Sequence, residues 1–135
     1  MNICLVNTTD LMGGAERCSF DLHRGLRALG HKTSLVVGRR SSEDPDVHAC
    51  HYPMWDAKAR TLLHLIGLTD TMFATPLRAI RRSMFRDADV VNIHNMHGCY
   101  WNFWTVPLLT RTKPVDLESA RRVALHRRLC LHLRL

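Results

Sequence analysis

Hydrophobic positions near the start of the chain fall into short unbroken runs, with a stretch of helical spacing between them. NICLVN (residues 2–7) and TSLVVG (33–38) have the pattern of parallel strands buried on both faces. Between them, GGAERCSFDLHRGLRALG places Ala15, Cys18, Leu22, Leu26 and Leu29 at intervals of three or four, which predicts a helix burying that stripe, and Gly30 supplies its stop. Strand, glycine turn, helix and strand make a parallel crossover unit. The polar RRSSEDPD (39–46) reads as a surface loop, and VHACHYP as a short third strand closed by Pro53. Two helical stretches follow, roughly 55–67 and 73–86, the second with Arg78, Arg81, Arg82 and Arg86 on an outer, solvated face. ADVVNIHN (88–95) predicts another buried strand, WNFWTVPLLTR (101–111) a helix that Pro107 either kinks or opens, and TKPV the start of a further strand. The fold class is therefore α/β, a parallel sheet with flanking helices.

Composition narrows the picture. At 135 residues, 46% hydrophobic and 23% charged, the chain can enclose one core, and two complete domains do not fit. No apolar run approaches the roughly 20 residues of a membrane span, and MNICLVNTTD has neither a basic leader nor a small-residue cleavage site, so the expected compartment is cytoplasmic. Five cysteines (Cys4, Cys18, Cys50, Cys99, Cys130), widely spread and without a C-x-x-C pair, read as reduced, mostly buried thiols. The formal charge is +7, but +3 of it belongs to the last 20 residues, and the remainder is unexceptional.

Candidate chemistry sits at two places. Gly13 and Gly14 lie between the first strand and the first helix, where backbone amides can face an anion and a missing Cβ lets a phosphate approach; the same two glycines also serve a plain tight turn. Glu16, in the first helical turn, suits the helix dipole and reads as a capping residue rather than a catalyst. The second place is NIHNMHG. Open parallel sheets bind ligands beyond the carboxyl ends of their strands, where His94 and the loop after it emerge. His94, His97 and Cys99 could ligate a metal, though no fourth ligand stands at convincing spacing, or the histidines could simply hydrogen-bond the loop. Tyr100, Trp101, Phe103 and Trp104 read as the buried face of the next helix, with Tyr100 or Trp101 placed to reach a ligand.

These two blocks carry a family resemblance. NICLVNTTDLMGGAERCSFDLHRGLRALGHKTSLVVG resembles the start of family 4 glycosyltransferases of GT-B architecture, in which MGGAE follows the first strand and an LxxxLxxxGH pattern closes the first helix. ADVVNIHNMHGCYWNFWTVPLLTRTKPV resembles the D-V-V-N-x-H-N-x-H-G-x-Y segment of bacterial members, and together the blocks cover about half the chain. The resemblance implies an N-terminal, acceptor-side Rossmann-like domain facing a second domain that holds most of a nucleotide sugar. It implies transfer of the sugar to an acceptor hydroxyl with retention and without a bound divalent metal or other cofactor. By matching position, Gly13 and Gly14 would approach the donor phosphates, while His94, Asn95, His97, Gly98 and Tyr100 would line the acceptor side of the cleft. The implied partners are a nucleotide sugar and a glycan or lipid-linked acceptor, with no nucleic acid, no assigned protein partner, and an association with the inner membrane face compatible with the lipid-linked case.

The last 20 residues, DLESARRVALHRRLCLHLRL, depart from that pattern. In the resembling enzymes TKPV leads into a buried strand and a loop of the type V-W-[ST]-L-H-D-x-W-x-F-T-G-x-C-A-Y. Back-translated with degenerate codons and advanced by one nucleotide, the tail permits T-W-S-L-H-D-A-W-P-F-T-G-D-C-A-Y-T-S-A-C. The expectation is thus an incomplete glycosyltransferase domain over 1–115 and an out-of-frame, basic Arg/Leu-rich segment over 116–135. On that expectation the strand after Lys113 is lost, a neighbouring strand keeps a bare edge, and no residue of this chain is assigned as catalytic. As a real helix, the tail would present Leu117, Ala120, Ala124, Leu125 and Leu129 as an apolar stripe, but Arg/Leu-rich text yields such stripes easily.

Two readings from other classes stand beside the transferase. A small basic module for nucleic acid or anionic lipid would rest on the Arg-rich segments and a pI near 9.7. A single nucleotide-binding domain of flavodoxin or response-regulator type would share the parallel sheet, but the chain lacks the acidic or flavin-loop residues expected of it.

Overall fold

The computed structural model describes residues 1–50, 62, 65, 78, 80–95, 101 and 105–117. The apolar runs become strands β1 (Asn2–Thr9), β2 (Lys32–Arg39), β3 (Val47–Ala49), β4 (Val90–Ile93) and β5 (Val115–Leu117), interleaved with helices α1 (Gly14–Ala28), α2 (Ser83–Arg86) and α3 (Thr105–Thr110). All pairings are parallel and the strand order is β3-β2-β1-β4-β5. The chain builds outward from β1 through β2 to β3, then returns to lay β4 on the other side of β1. That reversal makes the β1/β4 boundary the topological switch point of an α/β sheet of Rossmann-like form.

Alternation along the strands sorts the core into two layers. Leu5, Leu35, Val37 and Val47 lie buried on one face with Ile3 and Phe20, the latter from α1. Cys4, Val6, Val36, Val91 and Ile93 lie on the other with Phe85, Trp101 and Leu109, where the Phe85 and Trp101 rings stack at 5.7 Å. Burial of this kind on both faces is what continuous apolar runs predict. It also pushes the Cys4 thiol pKa upward and that of Cys50 up to about 11, so both are inert thiols.

Helix α1 ends as its glycine predicts. Gly30, at φ 84°, donates to the Arg27 carbonyl at 2.9 Å, and His31 donates to the Leu26 carbonyl at 3.0 Å, the paired bonds of a Schellman motif. Its inner face differs from the expected stripe. Ala15, Leu22 and Leu29 are exposed, whereas Ser19 and His23 are fully buried. The physical reason is pairing: Asn7 Nδ2 donates to Ser19 Oγ at 2.5 Å, and His23 Nδ1 lies 2.9 Å from Thr33 Oγ1. A short side chain and a bonded imidazole let the helix sit close on β1 and β2, so polar residues with partners take the positions that spacing alone assigned to leucines.

Three further expectations change. The stretch 73–86 is not one helix: the chain turns at Ile80 and Arg81, Arg82 is extended (φ −68°, ψ 154°), and only α2 follows. Like charges at Arg78, Arg81, Arg82 and Arg86 disfavour a continuous helix, and the break lets Phe85 enter the core. The 101–111 helix starts late, so Pro107 falls in the first turn of α3, where its missing N–H is harmless, and Trp101 precedes that helix as a core residue. A strand does form after Lys113, contrary to its expected loss: β5 pairs Val115, Asp116 and Leu117 with β4 across the 115/116 boundary. Of the expected 55–67 helix only Leu62 and Leu65 are described, both helical and exposed; its other residues, the end of the VHACHYP segment, Cys99, Cys130 and residues 118–135 lie outside the described residues, as do Phe103 and Trp104. Among the described residues no helix is long and apolar enough to cross a membrane.

Candidate functional site at the carboxyl ends of the strands

The polar text that follows each apolar run emerges at one edge of the sheet. β1 closes with Thr8 and Thr9 and is followed by Asp10 and the glycine turn; after β4 come His94 and Asn95. The His94 N–H donates to the Val6 carbonyl at 3.0 Å, extending the β1/β4 ladder one residue beyond Ile93, and His94 is almost wholly buried. Gly13, Gly14, His94 and Asn95, about 80 positions apart in sequence, are therefore brought to neighbouring strand ends. Asn95 is half-buried, while His97, Gly98 and Tyr100 lie outside the described residues. The metal alternative for His94, His97 and Cys99 falls there too. Among the described residues no cluster of three His, Cys, Asp or Glu could hold a metal ion.

The two glycines do different jobs. Gly13 has φ 115° and ψ 174°, a backbone region essentially reserved for glycine, and a Cβ there would lie 2.5 Å from Glu16 Oε2. At Gly14, the first residue of α1, a Cβ would meet nothing within 4 Å among the described residues. The helix N-terminus thus opens on free space at Gly14, while the Glu16 carboxylate folds back over Gly13 and brings a negative charge to the positive end of the dipole.

The third wall was not foreseen. Asp10, fully buried at the end of β1, accepts from the Ser41 amide at 2.8 Å and the Ser42 amide at 2.6 Å, tying the loop after β2 to the glycine turn. Burial alone would raise the Asp10 pKa; the hydrogen bonds from Ser42 and Ser41 outweigh it and hold the carboxyl below its ordinary 3.8. Farther along, Asp44 accepts from Arg27 at 2.9 Å, and Arg40 donates to the Ser42 and Asp44 carbonyls. Asn7, beneath the turn, accepts the Thr8 N–H on Oδ1 at 2.8 Å while bonding Ser19, so the floor is a satisfied polar layer. The only sequence signal for this wall is a polar residue closing each apolar run.

His23 gives this side of the molecule an acid dependence. Its Nε2 is 3.8 Å from Asp44 Oδ2. Burial lowers its pKa below the ordinary 6.5; Asp44 and Asp46 pull it up and Arg27 pushes it down, and burial wins. The folded ring is therefore neutral where the unfolded chain already binds a proton. Its contribution to stability is full above about pH 6.5 and declines as pH falls from there through the lowered folded value, by at most about 1.4 kcal/mol per pH unit. Urea midpoints measured from pH 8 to pH 5 should fall, and His23→Gln should flatten that fall; an equal slope in the variant would remove His23 from the account.

Comparisons of the chain with protein-family models, curated proteins and solved structures gave no match.

Proposed function

We propose that the chain forms the acceptor-side wall of a sugar-transfer cleft of the GT-B type, in which a nucleotide sugar held by a facing, donor-binding half gives its sugar to an acceptor hydroxyl. The observation that carries this reading is the convergence of the MGGAE turn and the NIHN segment at the β1/β4 switch point. Open space before the α1 N-terminus at Gly14 suits a phosphate, and the half-buried Asn95 beyond the neighbouring strand end suits a hydroxyl-bearing acceptor. On this reading His97, Gly98 and Tyr100 extend the acceptor side, and no metal or cofactor takes part. Positioning both reactants contributes roughly 7–11 kcal/mol of barrier lowering, which needs both walls of the cleft.

The site is tested by titrating the 15N-labelled chain with a uridine or guanosine diphosphate sugar. Amide shifts should concentrate at Gly13, Gly14, His94 and Asn95. Gly14→Glu, which fills the open space with a like charge, should weaken binding at least tenfold, and Glu16→Gln, which removes the competing carboxylate, should tighten it severalfold. Shifts confined to Arg81, Arg82 and Arg86, with affinity collapsing between low and moderate salt on added RNA, would replace this reading with the basic module.

A further inference from the structure

At the opposite pole of the sheet, where the chain enters β4 and β5, a groove of about 430 Å³ runs between α2 and α3. Its volume falls in the range of about 300–1,000 Å³ typical of small-molecule sites. The floor is apolar: Phe85 and Leu109 are buried at its base, Ile80 packs beside them, and Leu108 stands at the rim 43% exposed. The rim carries Arg81, Arg86 and Lys113, and among the described residues the lining contains no carboxylate. These cations are not equivalent. Lys113 Nζ donates to the Arg86 carbonyl at 2.5 Å and the Ala88 carbonyl at 2.6 Å, so its charge is committed to the chain end of α2. Arg86 shares its Nε with the exposed Asp87 carboxylate at 3.2 Å, whereas Arg81 is exposed and makes no ion pair among the described residues.

We propose that this groove binds a single-chain anionic amphiphile, its acidic head at the Arg81 and Arg86 guanidiniums and its hydrocarbon chain along Ile80, Phe85, Leu108 and Leu109. Guanidinium is suited to a carboxylate or phosphate head, since its planar fork can donate two parallel hydrogen bonds. A concave apolar floor accepts a chain that leaves the aqueous phase, which a flat bilayer surface cannot supply without surrendering a lipid. Nucleic acid fits less well, because among the described residues the Phe85 and Trp101 rings are buried against each other and offer no stacking face. The site is independent of the cleft at the other pole, so failure of either proposal leaves the other standing.

The test is calorimetric titration of the full chain with laurate below its micelle concentration, with dodecanol as the uncharged chain. Laurate should bind saturably at one site, and dodecanol at least tenfold more weakly. Arg81→Glu should weaken laurate at least tenfold, equivalent to about 1.4 kcal/mol, and Leu108→Glu should do the same, whereas Arg24→Glu, an equal charge change on the outer face of α1, should leave it within twofold. Circular dichroism melts of each variant confirm folding. No saturable binding, equal losses in Arg81→Glu and Arg24→Glu, or binding to phosphatidylglycerol vesicles without binding to monomeric laurate would overturn the proposal.

Discussion

An alanine at position 13 is expected to lower the unfolding free energy by about 1–3 kcal/mol from backbone strain alone, whereas an alanine at position 14 should leave it unchanged or raise it by up to about 1 kcal/mol. The two glycines are adjacent, yet only Gly13 occupies the region at φ 115° and ψ 174°, and only there would a Cβ collide with Glu16 Oε2. Glu16→Ala combined with Gly13→Ala separates the two contributions: the side-chain collision disappears and the backbone strain stays, so the pair should couple with the double variant less damaged than the sum. Urea unfolding of the parent chain and these four variants supplies all the numbers. Equal midpoints for the alanine variants at 13 and 14 would mean that the turn does not need the conformation described. The result also bears on the cleft, because a turn relaxed away from this geometry would re-aim the first amides of α1.

The strands were legible because a parallel sheet buried on both faces leaves an unmistakable signal: NICLVN and TSLVVG contain too few polar residues to face water. The helix stop at Gly30 was legible for an equally local reason, since the left-handed residue after a helix favours glycine. What spacing could not reveal was the inner face of α1. Counting apolar residues selects Leu22 and Leu29, but the buried positions go to Ser19 and His23, whose partners Asn7 and Thr33 sit on strands 12 and 10 positions away. A buried polar residue is settled by a partner elsewhere in the chain, and periodicity contains no information about that partner. The same holds for the site. Gly13, Gly14 and His94 were readable because each lies in the short stretch just beyond an apolar run, so the end of a strand fixes its place. Asp10 adjoins one too, yet its role depends on amides 31 and 32 positions away.

Stability alone understates what Asp10 does. One carboxylate receives the Ser41 amide on both oxygens, at 2.8 and 3.1 Å, and the Ser42 amide at 2.6 Å, and so fixes where the loop after β2 stands relative to the glycine turn. Asp10→Ala removes a charged acceptor and strands two donors, which is expected to cost about 2–3 kcal/mol. Asp10→Asn keeps one acceptor oxygen and should cost roughly half as much. The pH dependence has a definite sign: the folded carboxyl lies below 3.8, so its contribution is present above the unfolded value and is lost as pH falls through the folded one. In Asp10→Ala that acid limb should shrink while the decline attributed to His23 persists, because the two groups hold the loop at different points. Amide hydrogen exchange gives the local reading, with Ser41 and Ser42 exchanging much faster in the alanine variant while the amides of Val91, bonded to the Pro114 carbonyl, and His94, bonded to the Val6 carbonyl, stay protected. Slow exchange at both serines, or an unchanged midpoint, would show that Arg40, Arg27 and Asp44 hold this wall without the buried carboxylate.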